Sequence, residues 1–242
     1  MAIARRTFLK SIFTSSALLA GATPNCLTAT QSWKQSETPI NTPTILVQTS
    51  TSMDDIFLQG IEAANRENAG NPVTKTVLES FQQTDPIILQ QIFSSLKGSK
   101  LIGLMEDVPF VLFQAVARTH GASFLFTGQH SWSCDKSYSS RHHMITVPQC
   151  QGVSSVLATS LAASNQGYII SEKSLGLDRE MKIDDQSSLI KTNHWAAITG
   201  EVLVKISAGD WQAAQVGNFQ RKKQGKNRYD SSGSLVSFVI EV

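Results

Sequence analysis

Four short stretches place chemically useful side chains close together: Thr49 to Ser52 with Asp54 and Asp55, Glu79 with Ser80, Glu106 with Asp107, and Gln129 with His130. Hydroxyls, carboxylates and an imidazole gathered in one cleft can hold a polar ligand. They can also coordinate a hard divalent cation through oxygen, or divide acid and base work between them. On this basis Ser50, Ser52, Asp54, Asp55, Glu106, Asp107 and His130 are the expected ligand-binding residues. The same residue types also cap helices wherever strands and helices alternate, and the sequence does not separate the two uses.

Histidine and cysteine form a second concentration. The five histidines, His120, His130, His142, His143 and His194, all lie at or beyond position 120, and His130, Cys134, His142, His143 and Cys150 fall between positions 130 and 150. Imidazole and thiolate ligands at such spacing can bind zinc or copper, but no standard zinc pattern is present and no metal is assigned. An exported protein has a simpler use for two cysteines. A Cys134–Cys150 disulfide would close a loop of about 15 residues and stabilise it by about 3 kcal/mol in the chain-entropy model. Unpaired thiols remain the other reading. The three cysteines form no CxxC and no CxxCH, so a thioredoxin-like redox motif and a c-type haem site are absent from the sequence.

No G-x-G-x-x-G, phosphate-binding P-loop, G-x-S-x-G or H-E-x-x-H occurs, which argues against a classical dinucleotide enzyme or α/β-hydrolase, and no cofactor is assigned. Ser94-Ser95-Leu96-Lys97 resembles the S-x-x-K of penicillin-recognising serine enzymes, and Lys191-Thr192-Asn193 resembles their K-T-G. That serine should open a helix, whereas Ser94 stands near a helix end, and Asn193 replaces the glycine; no such activity is expected.

The elements that must position these groups follow from periodicity. Strands are expected at Thr44 to Gln48, Val73 to Ser80, Lys100 to Met105 and Ala122 to Thr127. Helices are expected from Met53 to Glu67, from Pro86 to Ser95, and after Asp107, with Gly121 as a left-handed C-terminal cap. The last of these helices is apolar on nearly every side and is expected to be buried. The order β-α-β-α-β-α-β implies a mostly parallel, Rossmann-like or flavodoxin-like sheet flanked by helices, an α/β fold. Ligands of such sheets sit at the carboxyl ends of the strands, where all four polar stretches fall. Beyond Trp132 the pattern weakens into a less regular α+β part. It has a loop from Ser131 to Ser140, a strand at Met144 to Val147, a helix from Gly152 to Ala163 and a possible strand at Gly167 to Ile170. Positions 171 to 192 are polar and poorly periodic, a helix runs from His194 to about Ser207, and a strand closes the chain over Leu235 to Val242.

The N-terminus reads as an address. Residues 2 to 22 have a basic start, an apolar run from Ser11 to Ala20 too short to span a bilayer, and a small-residue Ala20-Gly21-Ala22 site. Arg5-Arg6-Thr7-Phe8-Leu9-Lys10 resembles the twin-arginine (Tat) export signal, with Arg5, Arg6, Phe8, Leu9 and Lys10 on the motif and Ala4 where Ser or Thr is usual. The resemblance covers about a tenth of the chain. It implies transport of the folded protein across the bacterial inner membrane by the twin-arginine translocation machinery, hence a periplasmic location. A lipid anchor at Cys26 is not expected, because Thr23-Pro24-Asn25 lacks the small-residue run that such signals need. Positions 23 to 43 form a polar linker, and 44 to 242 a single α/β domain with a core to 132 and an extension from 133.

Charge narrows the partners. The 242-residue chain has 21 basic and 19 acidic residues, but three basic and no acidic residues lie in the first thirty positions, so the rest is close to neutral. A general nucleic-acid surface needs clustered positive excess and is not expected; the run Arg221-Lys222-Lys223, Lys226 and Arg228 reads as a solvated loop. No transmembrane segment is expected in the mature chain. Three functions stay open: a non-catalytic binder of a small polar ligand or a protein partner, a hydrolase or metal-dependent hydrolase using the acidic strand ends, and an accessory or maturation factor for an exported redox enzyme.

Overall fold

Buried apolar runs that alternate with amphipathic helices fold here as layers on one sheet. The computed structural model describes residues 44–48, 51, 53–67, 74–76, 86–132, 140–164, 166–176, 180–185, 194–209 and 232–242. The expected signal and linker, Ser50, Ser52, Glu79, Ser80, Cys26, Cys134, Lys191 to Asn193 and the Arg221 to Arg228 run lie outside them. Pro39–Val242 form one unit. In chain order the strands are β1 (Thr44–Gln48), β2 (Thr74–Thr76), β3 (Lys100–Glu106), β4 (Ser123–Trp132), β5 (Ser140–Thr146), β6 (Tyr168–Ser174), β7 (Glu180–Asp185) and β8 (Gly233–Glu241). The helices are α1 (Asp54–Glu67), α2 (Pro86–Ser95), α3 (Asp107–Thr119), α4 (Val153–Ala163) and α5 (His194–Ala208).

The eight strands form one sheet in the order β2-β1-β3-β8-β4-β5-β6-β7. The fold is mixed α/β rather than mostly parallel. Three neighbouring pairs (β1–β2, β1–β3, β5–β6) are parallel and four (β3–β8, β4–β8, β4–β5, β6–β7) are antiparallel. The expectation of co-directional early strands still has a counterpart in space. Because β3 and β4 are both antiparallel to β8, strands β1 to β4 all point the same way. The closing strand enters between β3 and β4 and converts an expected parallel contact into two antiparallel ones.

Helices α1, α4 and α5 pack on the first face against Ile102, Leu104, Phe126, Met144, Ile170, Leu235 and Val239. Helices α2 and α3 pack on the second face against Leu101, Met105, Val236, Phe238 and Ile240. Strand β3 is buried on both faces up to Met105, as its continuous apolar run requires. Helix α3 is not buried all round: Phe110, Phe113, Val116 and Ala117 face inward, but Val108 is 78% exposed. The helix begins at Asp107 itself, and its N-cap is Glu106, which makes no side-chain capping bond. Its far end follows expectation, since Gly121 has φ +79° while its N–H and that of Ala122 return to the carbonyls of Arg118 and Ala117.

One irregularity sets up the site. Phe124 of β4 pairs with Ile240 and Phe126 with Val239, so Leu125 is an extra residue, a bulge. A one-residue slip moves side chains to the opposite face. Phe124 packs on the second face, whereas Phe126 and Trp132 belong to the first.

Candidate functional site

The expected site residues share an edge but not a face. Strands β1, β3 and β4 end on one side of the sheet, so Asp54, Asp55, Glu106 and Asp107 stand at its carboxyl edge. Asp54 opens α1 on the first face and is committed locally: its carboxylate accepts from the Thr51 N–H at 3.0 Å and from the Thr51 hydroxyl. Burial pushes its carboxyl pKa up, against those bonds, and the neighbouring Asp55 adds to the rise. Asp107 opens α3 on the second face and accepts a long bond (3.4 Å) from Ser234 Oγ. Burial raises its pKa too, and Glu106 reinforces the rise. Asp55 and Glu106 are exposed. His130 is not in an open cleft at all, for it has 0% exposure.

His130 lies instead in a fully buried polar cluster on the first face. Two inward positions face each other across the β4–β5 ladder, where His130 pairs with His142. Their Nδ1 atoms are 2.7 Å apart. His130 Nε2 lies 2.6 Å from Ser237 Oγ on β8, and His142 Nε2 lies 2.8 Å from Ser140 Oγ. Gln166 Nε2 also donates to Ser140 Oγ, at 3.4 Å. Ser237, His130, His142 and Ser140 are all fully buried. The Trp195 ring of α5 stacks on His130 (centroids 4.9 Å, 23° between planes) and lies 5.8 Å from His142 and 5.6 Å from Trp132.

Gly128 makes room for this chain. It pairs with Ser237 in the ladder, and a Cβ on it would stand 2.9 Å from His130 Nε2 and 3.0 Å from Ser237 Oγ. Any side chain there would press on the bond it shelters.

The protonation of the cluster follows from its geometry. Two ring nitrogens at 2.7 Å require one Nδ1–H donor and one bare Nδ1 acceptor, so the pair shares a single bridging proton. The accepting ring must carry its own proton on Nε2 and donate it to a serine; the donating ring accepts from the other serine. Either direction satisfies all four groups. Burial keeps both rings neutral. It lowers His142 to about 3 and His130 well below its ordinary value, the latter with help from His142.

The histidine–cysteine concentration is divided by the strands. His143 points to the opposite face from His142 and bonds Ser171 Oγ at 2.7 Å, and His120 ends α3 stacked on Phe93. No group of three or more His, Cys, Asp or Glu able to hold a metal occurs among the described residues. Cys150 is a free, buried thiol whose pKa burial pushes up to about 11, so the expected Cys134–Cys150 disulfide is not formed. The ladder supplies the reason. Trp132 pairs with Ser140 and Phe126 with Thr146, so β5 carries the chain away from the Trp132 end by about 20 Å before Cys150 is reached. Cys150 packs near Lys100 and Glu172, at the amino edge.

Ser237, His142, Ser140, Trp195 and Gly128 were not among the expected site residues. The usable signal was period-two alternation, Phe126-x-Gly128-x-His130-x-Trp132 and Ser140-x-His142-x-Met144, hidden by reading 131 to 140 as loop. Comparison with protein families, curated proteins and solved structures finds no match to this chain. No helix among the described residues is long and apolar enough to cross a membrane.

Proposed function

We propose that this is an exported, periplasmic α/β protein that binds a small polar ligand or a protein partner, without catalysis, at the carboxyl edge of its sheet. The observation that carries the reading is Asp107: half-buried at a strand end, raised in pKa by desolvation, and given one long hydrogen bond by Ser234. A carboxylate so placed gains from a donor-rich or cationic group that reaches it. Asp54 supports the same edge from the first face. Thermal unfolding across a panel of polar metabolites and cations tests the small-ligand version. A ligand at 100 times its Kd adds about 2.7 kcal/mol, roughly 5–10 °C in Tm for a domain of this size. The shift should vanish in Asp107→Asn; a panel without any shift removes the small-ligand version and leaves the protein partner. The export half rests on Arg5-Arg6-Thr7-Phe8-Leu9-Lys10. Arg5→Lys with Arg6→Lys should hold the protein in the cytoplasm, and unchanged export would defeat it.

A hydrolytic reading has one observation in its favour. Ser237 Oγ, His130 Nε2 and the His130–His142 contact meet the distances of a nucleophile, its base and a group that orients the base. Ser237 is fully buried, so a substrate would have to part the sheet from α5. A fluorophosphonate probe that labels Ser237 would support this reading, and an unlabelled native protein would reject it.

A further inference from the structure

The His130–His142 contact is a bond that proton number can make or break, and it sits at one end of a strand pair. With one proton per ring, Nδ1–H···Nδ1 joins β4 to β5 across the first face. A third proton leaves that bond intact, since both Nε2–H groups can then donate to Ser237 and Ser140. A fourth puts a proton on each Nδ1, so two N–H groups face each other at 2.7 Å, and the bond is lost.

We propose that this couple is a proton-operated latch, which holds the carboxyl-edge end of β4–β5 against Trp195 and lets it go when both rings become cations. The three pairs concerned are His130–His142, Ser131–Arg141 and Trp132–Ser140. The other half of the ladder, Phe126 to Gln129 against His143 to Thr146, and the β3–β8–β4 centre stay paired.

Among the described residues, no carboxylate offsets a second charge on the rings. On β8 the neighbours are Leu235 and Ser237, on β6 the register neighbours are Tyr168 and Ile170, and on α5 the facing group is Trp195, with half-buried His194 beside it in sequence. Glu172, further along β6, gives its oxygens to Thr146 Oγ1 and to the N–H groups of Gly152 and Ser154. Glu201 on α5 is paired with Lys205 at 2.6 Å. The forces that set His130 are burial and His142, and for His142 burial alone; no carboxylate contributes. Burial disfavours even one cation there, and two adjacent cations in a dry interior more so, so the rings gain both protons only as the latch opens.

The latch does not depend on the ligand-binding proposal, and its test reads only the fold. In the full chain, imidazole NMR from pH 8 to 3 should show two of the five rings still neutral well below pH 6.5. They should then take up protons together with a cooperativity near two. The near-ultraviolet tryptophan signal should fall at the same midpoint while far-ultraviolet ellipticity holds. Hydrogen exchange at that pH should expose the amides that bridge β4 to β5 over His130–Trp132 and Ser140–His142 before the amides of β3 and β8. Two rings titrating separately near their ordinary value, or near- and far-ultraviolet signals lost together, would overturn the latch. His142→Gln retains a bonding partner for His130 without a second basic ring, and should lower the cooperativity to one. If that variant fails to fold, the exchange pattern of the unaltered protein decides.

Discussion

His130 and His142 make stability pH-dependent in a fixed direction. Both have folded pKa values below 6.5, so the unfolded chain binds the extra protons first and stability falls as pH drops below 6.5. For His142 the loss runs down to about pH 3, where the folded ring also titrates. Each fully buried ring should withdraw about 1.4 kcal/mol per pH unit in this window. Urea unfolding at pH 7 and 5.5 should therefore differ by about 2–3 kcal/mol. Asp54 and Asp107 act in the opposite sense at lower pH, because their raised values favour protonation in the folded state. The range 5.5 to 7 thus isolates the imidazoles, and a flat stability profile across it would contradict the geometry. Gly128→Ala tests the same chain sterically. Its methyl must displace His130 Nε2, Phe126 Cζ and Ser237 Oγ, at a cost of about 1–3 kcal/mol measured as a lower urea midpoint. Of the site residues, the acidic ones were legible because strand ends and helix starts show in the sequence. The histidine chain was not, because it depends on which strands are neighbours.

Element α4 illustrates how a helix can be capped from a distance. Gly152, its N-cap, has φ 96° and brings no capping side chain. Glu172 of β6 replaces one, accepting from the Gly152 and Ser154 N–H groups at 2.9 Å each and from Thr146 Oγ1 at 3.0 Å. Removal of the carboxylate orphans the buried Ser154 N–H and the part-buried Gly152 N–H at the positive end of the helix. Glu172→Ala should cost about 2–5 kcal/mol, and Glu172→Gln, which keeps one acceptor, less than half of that; equal losses in urea unfolding would rule out a capping role. Positions 152 to 163 were legible as a helix from spacing alone, but this cap lies on a strand that the sequence shows only in part. Boundaries behaved in the same way. The strand expected from Met144 begins at Ser140, and β7 lies in a stretch that reads as irregular. Its inward residues, Met181, Ile183 and Asp185, alternate with exposed charges too polar to register as a strand.

At the scale of the molecule, the first half was legible as alternating strands and helices, and the direction of β1 to β4 agrees with that order. Pairing was not legible, because periodicity reports which face a residue takes and not which strand lies beside it. Two features changed the outcome. The Leu125 bulge turned His130 toward α5, and β8 took the place between β3 and β4. Phe238 on β8 is fully buried among Phe110 and Phe113 (ring centroids 5.7 and 4.7 Å), so Phe238→Ala should cost about 3–5 kcal/mol in urea unfolding. That is a large share of the 5–15 kcal/mol by which a domain is usually stable.

The placement of β8 also bears on synthesis order. Translation delivers β3 and β4 well before Gly233–Glu241, yet β3 beyond β1 and β4 beyond β5 each lack a partner on the other side until that segment emerges. A nascent chain therefore carries two unpaired edges flanking a gap in the middle of its sheet, and the central ladder closes only after synthesis has passed β8. A chain interrupted before this strand would lack the centre of its sheet.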